Sequence, residues 1–220
     1  MKGDKPIELR VTSDGSPTLF CSEIDECYHS VHGARTESEY IFLKHGFDFV
    51  DKSCVRIFEV GFGTGLNMLL TALLRPGREI VYHAIEKYPV MTEVSNEYIA
   101  TLLDEEERKL MSRIYELPWG EDVALTDNMT IRKIESDMTQ VQLVGPYDVV
   151  YFDAFSPDKQ SEMWSEDVFR KCFEALERGG VLVTYCSKGI VKTALRNVGF
   201  EVRRYDGPPG KRHIVVAFKK

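Results

Sequence analysis

From Val55 onward, short apolar runs alternate with segments of helical period, and that alternation leaves few folds open. "VRIFEV" reads as a buried strand and "LNMLLTALL" as a helix. "EIVYHAIE" is a second strand, followed by a helical region from about Val90 to Ile114. "TIRKIES" and "YDVVYFD" supply a third and a fourth strand, "MWSEDVFRKCFEALERGG" a helix closed by glycine, and "VLVTYCS" a fifth strand. "KGIVKTALRNVG" is a last helix before a hairpin of "FEVRRYD" and "RHIVVAFK". Strands joined by helices require right-handed crossovers and a mostly parallel sheet covered on both faces. The closing hairpin adds one strand running against the others. The expected architecture is a doubly wound α/β domain over residues 51–220, with a small N-terminal β extension over residues 1–50 packed on it. In the extension, "IELRVT" and "TLFC" are short strands around the turn "SDGSP". "TESEYIFLKHG" is a helix with Thr36 as N-cap, Glu39 at the capping-box position and Gly46 as its stop.

Composition narrows the class of protein. A chain of 220 residues, 43% hydrophobic and 29% charged, fits a single globular core. No apolar run approaches the roughly 18 residues of a membrane span, and "MKGDKPIELRVT" lacks the apolar stretch of a secretory signal. Five cysteines, odd in number and without a C-x-x-C pair, read as reduced thiols, so a cytoplasmic location is expected with no disulfide framework and no metal. His29 and His32 could share a helical face, but no further ligands follow at metal-site spacing. The net charge of −7 argues against a broad nucleic-acid-binding surface, though not a local one. The run "DEEER" at 104–108 reads as a solvated helix face, and the C-terminal region is basic.

Gly61, Gly63 and Gly65 stand where the first strand of the α/β domain hands over to its first helix. In open α/β sheets ligands bind beyond the carboxyl ends of the strands, where the strand order reverses. Glycine there allows left-handed backbone and lets a ligand lie on the main chain. A dinucleotide fingerprint is G-x-G-x-x-G, but here the spacing is G-x-G-x-G with Leu66 in the place of the third glycine. Glu59 precedes the loop and is poorly suited to greet a phosphate. A nucleoside with a cationic amino-acid tail and no phosphate fits better, namely S-adenosyl-L-methionine. Glu86 ends the second strand, where an acid accepts hydrogen bonds from ribose hydroxyls. Asp137 ends the third, where a side-chain oxygen can take the adenine amino group. The fourth strand ends in "DAFSPDKQSEMW", which sets Asp153 and Phe155 facing the donor methyl; a turn-forming Asp153 and a core Phe155 are the plainer alternative.

These residues resemble the methyltransferase module of the bifunctional tRNA 5-methylaminomethyl-2-thiouridine biosynthesis protein family, and its stand-alone form. "DGSPTLFCSEIDECYHSVHGARTESEYIFL", "FEVGFGTGLN", "AIEKYP", "DAFSPDKQSEMW", "GGVLVTYCSKGIVKTAL" and "GFEVRRYDGPPGKRH" match family blocks in the family's order over nearly the whole chain. Gln160–Ser161 departs from the common Asn-Pro. The resemblance implies a seven-stranded, Rossmann-like class I methyltransferase domain without a FAD oxidase domain. It implies S-adenosyl-L-methionine bound by Glu59, Gly61, Phe62, Gly63, Gly65, Asn67, Glu86, Lys87, Asp137, Met138 and Asp153, with Asp153 and Phe155 at the reacting group. The implied reaction methylates the amine of 5-aminomethyl(-2-thio)uridine at the tRNA wobble position. A separate oxidase or upstream wobble-modification enzymes are the other partners in view.

A base turned out of the anticodon could stack on Phe155, Trp164 or Tyr185, although core packing accounts for each equally well. Lys159, Lys188, Arg203, Arg204, Lys211 and Arg212 are the candidate tRNA contacts, with an ordinary solvated role the alternative for any one of them. An alkyl amine with a pKa near 10.4 costs about 4.6 kcal/mol to neutralise at pH 7, and the uridine ring should reduce that figure. A carboxylate alone favours the ammonium, so Asp153 is expected to orient the amine and accept its proton while the sulfonium favours the neutral form. Two other readings remain. Aminopropyl transfer onto a polyamine shares the architecture, but the strand-end block "DAFSP" itself carries no second acid. A non-catalytic cofactor- or RNA-binding module predicts binding without turnover.

Overall fold

The structure is a computed structural model that describes residues 7–220. The first six residues of "MKGDKPIELRVT", part of the segment read above for a secretory signal, lie outside the described residues. Two sheets form. β1 (Ile7–Val11), β2 (Pro17–Cys21) and β3 (Glu26–Cys27) make a small antiparallel sheet in the order 1-2-3. The main sheet contains β4 (Cys54–Val60), β5 (Glu79–Glu86), β6 (Val123–Thr126), β7 (Met129–Glu135), β8 (Tyr147–Phe152), β9 (Leu176–Thr184), β10 (Glu201–Asp206) and β11 (His213–Phe218). Its order is β10-β11-β9-β8-β4-β5-β7-β6. The five central strands are parallel, and β11 runs against β9, as the closing hairpin required.

The main sheet has eight strands, not the expected seven. The extra one is β6, a four-residue edge strand that pairs antiparallel with β7 across a bulge. Its pattern is too short and too irregular to register as a strand in sequence. The strand order reverses between β4 and β8: β5 and β7 follow β4 on one side, β8 and β9 lie on the other. The glycine turn leaves β4 at this reversal.

β8 is buried along its whole length because helices cover both faces of the sheet. Val149 and Tyr151 point into one core, Val150 and Phe152 into the other, as the two-residue strand period dictates. α2 (Leu66–Leu74), α3 (Thr92–Thr101) and α4 (Glu105–Glu116) cover the first face together with the N-terminal segment, whose Leu19, Ile41, Phe42 and Phe47 are fully buried in the same core. α5 (Glu166–Ala175) and α6 (Gly189–Asn197) cover the second face.

Several helix boundaries differ from the expected ones. The N-terminal helix, α1 (Ala34–Ser38), starts before Thr36 and continues as a π-helical stretch, Glu39–Lys44. Thr36 therefore is not its N-cap. Asp14, in the β1–β2 turn, reaches across to accept from Thr36 N at 2.9 Å and Thr36 Oγ1 at 2.8 Å, so the helix start is capped from the hairpin. Glu39 pairs with Arg35 at 2.6 Å instead of closing a capping box. The helical region 90–114 is two helices, because Asp104 caps α4 by accepting from the backbone of Glu106 and Glu107. The acidic run thus marks a helix N-terminus, where carboxylates meet the positive end of the helix dipole. "ALERGG" does not close α5; from Leu176 it already belongs to β9.

Candidate active site

A cleft of about 540 Å³ opens at the carboxyl ends of β4, β5, β7 and β8. Its floor is the glycine turn. Gly61 N and Phe62 N both donate to Ile85 O at 3.1 Å, and Asp153 N donates to Val60 O at 2.9 Å, so the turn is pinned to the strands on either side. Gly61 has φ +89°, and a Cβ there would meet the Asp153 carbonyl oxygen at 2.6 Å. Only glycine fits between these two main chains. Gly63, at φ +53°, faces the Tyr28 ring.

One wall carries the two acids expected at successive strand ends. Glu86 accepts from Gly63 N at 3.1 Å and from Tyr88 N at 2.9 Å, which fixes its carboxylate beside the glycine turn. Asp137 accepts from Thr139 N at 2.9 Å and Thr139 Oγ1 at 2.7 Å and pairs with Lys87 at 2.8 Å. Lys87 and the Thr139 hydroxyl hold its carboxyl down at about 2. Met138, next to Asp137 in the chain, is buried but lines the cleft, as does Phe62.

Asp153 stands at the opposite wall, at the end of β8. Its Oδ2 accepts from Asn67 Nδ2 at 2.9 Å, and the same amide nitrogen donates to Glu59 Oε1 at 2.9 Å. Ser38 Oγ donates to Asn67 Oδ1 and so fixes which way the amide points. Burial pushes the Asp153 carboxyl up to about 7; Glu37 adds to the rise, while Asn67 and Lys211 oppose it. Glu59 is fully buried behind the turn, where burial drives its carboxyl well above the usual range. Glu59, Gly65 and Asn67 therefore support the cleft from behind and do not line it. Gly65 starts α2 at φ +78°, where a Cβ would strike the Phe62 ring.

Phe155 lines the cleft and meets Tyr28 edge to face, ring centroids 5.1 Å apart. Tyr185 also lines it, its hydroxyl donating to Ala154 O at 2.8 Å. Trp164 does not. It is buried among Phe152, Phe169 and Tyr185 and donates to Phe155 O at 2.8 Å, so it braces the loop from the core side. Of the basic candidates, Lys159 pairs with Asp25 at 3.1 Å, Lys188 with Asp158, and Arg203 with Glu201 at 2.6 Å. Lys211 is turned inward onto Glu37 at 3.0 Å. Arg204 and Arg212 are exposed.

The sequence reading missed the cleft's roof. β3 and the segment after it bring Glu26, Tyr28 and His29 over the glycine turn. Glu26 accepts from Ser156 Oγ at 2.8 Å, and His29 Nε2 lies 2.7 Å from Thr64 Oγ1. His29 and His32 lie in loop, not on a helix, and no cluster of metal-ligating side chains occurs among the described residues. Nor, among them, is any helix long and apolar enough to cross a membrane.

The residues present fit S-adenosyl-L-methionine. A turn that admits no Cβ leaves main chain bare for a flat ligand, and carboxylates outnumber cations along the walls, where Lys87 and Lys211 are paired with Asp137 and Glu37, which suits hydroxyls and amines and disfavours phosphate. The fold and cleft thus define a class: doubly wound α/β proteins that hold a nucleoside where the strand order reverses. The comparisons with known proteins supply the rest. The family described as S-adenosyl-L-methionine-dependent methyltransferase matches residues 101–220, and the chain belongs to it. It resembles the tRNA 5-methylaminomethyl-2-thiouridine biosynthesis bifunctional protein MnmC of Cupriavidus metallidurans, 28% identical over 97% of this chain, and spans about a third (34%) of that protein's length. The crystal structure of MNMC2 from Aquifex aeolicus superposes with a TM-score of 0.82 at 27% identity, covering 100% of this chain and 72% of that one. Spermidine synthase from Thermotoga maritima shares the fold, with a TM-score of 0.65 at 15% identity over 100% of this chain and 70% of its own.

Proposed function

We propose that this methyltransferase acts on the primary amine of 5-aminomethyl(-2-thio)uridine at the tRNA wobble position, giving the 5-methylaminomethyl form, and that it works in the cytoplasm. The names of the relatives support the substrate: each is a tRNA 5-methylaminomethyl-2-thiouridine biosynthesis protein. The observation that carries the reading is Asp153, a carboxylate at the cleft wall with a pKa lifted to about 7 and its orientation fixed by Asn67.

Gly61, Gly63, Glu86, Asp137 and Met138 are the residues that would hold the donor. When bound, S-adenosyl-L-methionine supplies an electrophilic methyl on a positive sulfur. An arriving ammonium is drawn to Asp153, which accepts one proton and leaves the nitrogen lone pair free. A carboxyl with a pKa near 7 is a better proton acceptor at neutral pH than an ordinary aspartate near 3.9. After transfer the nitrogen is positive again, and Asp153 sheds its proton to solvent and stabilises the new ammonium. Phe155 and Tyr28 form an aromatic edge against which an extruded base can rest. Arg204 and Arg212 are exposed and, unlike Lys159, Lys188 and Arg203, are held in none of the ion pairs described above, which leaves them to meet tRNA phosphates. The amine is supplied by a separate oxidase or by upstream wobble-modification enzymes.

Incubation with S-adenosyl-L-methionine and tRNA bearing 5-aminomethyl(-2-thio)uridine, followed by nucleoside mass analysis, tests the reading. Conversion to the methylaminomethyl nucleoside is expected. An unchanged nucleoside in a preparation that binds the donor rejects it. A parallel incubation with putrescine and decarboxylated donor should yield no spermidine, because the likeness to spermidine synthase is one of fold.

A further inference from the structure

The cleft contains a second carboxylate that the reaction above does not use. Glu37, on α1, is buried, lines the cleft with Asp153, and is reached by Lys211 from the β10–β11 loop. The contact is ionic but poorly made: Glu37 Oε2 lies 3.0 Å from Lys211 Nζ, yet that oxygen is buried without an aligned hydrogen bond. Glu37 Oε1 accepts only a long bond, 3.3 Å, from Ser30 N. Lys211 Nζ also sits 4.7 Å from the centre of the Tyr185 ring, and the Tyr185 hydroxyl is tied to the loop that carries Asp153. A primary ammonium on a lysine stem therefore rests between an acid and an aromatic face inside the cleft that is to receive a primary ammonium substrate.

We propose that Glu37 and Asp153 together form the amine subsite, and that Lys211 is an internal stand-in cation that leaves Glu37 when the substrate's aminomethyl group enters. This rests on the amine-methylation reading given above. A buried, imperfectly satisfied carboxylate is costly, and a cation that can leave keeps the empty cleft balanced without blocking it permanently. In this role Lys211 faces inward and contributes nothing to phosphate binding, which reverses its expected part in tRNA recognition. Glu37 takes the substrate amine directly in this role, and Lys211 is a positioning residue that acts through Glu37. Asp153 is also faced by Glu59 behind Asn67, by Tyr82 on β5 and by Tyr185 after β9, and these groups stay constant in the comparison.

Two measurements on Glu37→Gln, Lys211→Met and Lys211→Arg test this. The first is the acid limb of kcat/KM against pH with aminomethyl-bearing tRNA. Glu37→Gln should move it down by about one pH unit and Lys211→Met up by about one, with Lys211→Arg restoring the wild-type position. Lys211→Met should leave the salt dependence of tRNA binding unchanged. A limb fixed in both variants, or a log–log salt slope reduced by about one in Lys211→Met, overturns the proposal in favour of a phosphate contact. The second measurement is the carboxyl titration of Asp153 by NMR in the free proteins, assigned with Asp153→Asn. It should show the same opposite displacements whether or not the tRNA is a substrate, and its failure to do so counts against the subsite alone. If the wild type titrates as expected but methylates no tRNA, the functional reading fails instead. Near-UV circular dichroism identifies any variant that has not folded.

Discussion

The two walls of the cleft are built differently. The wall proposed to hold the donor, here the donor wall, takes Gly61, Glu86 and Asp137 from the ends of three adjacent parallel strands, β4, β5 and β7, and its hydrogen bonds run mainly to neighbouring main chain. The wall proposed to take the methyl acceptor, the acceptor wall, gathers Tyr28, Glu37, Asp153, Tyr185 and Lys211 from the N-terminal segment, β8, the end of β9 and the closing hairpin. The first wall follows from the topology, so any chain with this strand order can build it. The second depends on long-range packing and is where one such protein can differ from another. Changes to the donor wall should therefore lower donor binding and stability together, whereas changes to the acceptor wall should lower the rate and leave donor binding nearly unchanged.

The sharpest test is Asp153→Asn. It keeps the Asn67 contact geometry but removes the proton acceptor, so turnover should fall by about 10²- to 10⁴-fold while donor affinity stays within a few-fold. Calorimetric donor binding beside single-turnover methylation separates the two. A loss of donor binding comparable with the loss of rate would erase the distinction between the walls.

Gly61→Ala should show the opposite pattern. The new Cβ meets a backbone oxygen at 2.6 Å in a left-handed conformation, and neither the strand nor the turn can yield cheaply. A cost of about 2–4 kcal/mol in stability is expected, with donor binding lost. Gly63→Ala meets only the edge of the Tyr28 side chain at 3.2 Å, and about 1 kcal/mol is expected there. Urea unfolding of the pair reads the difference directly; equal costs would mean that the turn is not pinned between β5 and β8.

The same contrast explains what could be read from sequence. The glycine turn, Glu86 and Asp137 were legible because strand-end position and backbone freedom are local properties. The five parallel strands were legible because apolar runs alternate with helical period. Tyr28 and Glu37 were not, since nothing in the spacing between positions 28, 37 and 153 says that a short antiparallel sheet will fold over the turn. Trp164 stayed open between base stacking and core packing, because an aromatic beside a strand-end loop reads alike whether it faces the ligand or braces the loop from the core; the structure places it in the core. Lys211 read as a surface cation because its partner, Glu37, lies far away in the chain. β6 escaped because four residues and a bulge carry no clear period.

The raised carboxyl of Asp153 also has a stability consequence, smaller than the loss expected for Gly61→Ala. Its folded pKa of about 7 exceeds the unfolded value near 3.9, so between these pH values the native state holds more protons than the unfolded chain. Stability conferred by the protonated form is complete below pH 4 and is lost as pH rises through 7. Asp153→Asn should therefore be more stable than wild type at pH 8, by about 1–3 kcal/mol after allowing for partial solvent access, and nearly equal at pH 4. Activity runs the other way: wild-type turnover should fall as pH drops below 7, because a protonated Asp153 accepts nothing. A gap in melting temperature that is independent of pH would place the Asp153 pKa near that of an ordinary aspartate, and with it would go the account of why this wall favours an amine.

The smallest effect concerns the rim. Arg203 is already engaged by Glu201, which also takes Lys220, and its guanidinium lies 4.8 Å from the centre of the Phe218 ring. Arg212 is exposed beside the inward-turned Lys211. A cation neutralised by its own chain releases few counterions on binding RNA, whereas a free one releases about one. Arg212→Ala should thus lower the log–log salt slope of tRNA binding by about 0.7–0.9, and Arg203→Ala should leave it unchanged. If both variants lowered it equally, the Glu201 pair would have to open on binding, and the tRNA footprint would extend along β10 to the far edge of the sheet, beyond the acceptor wall.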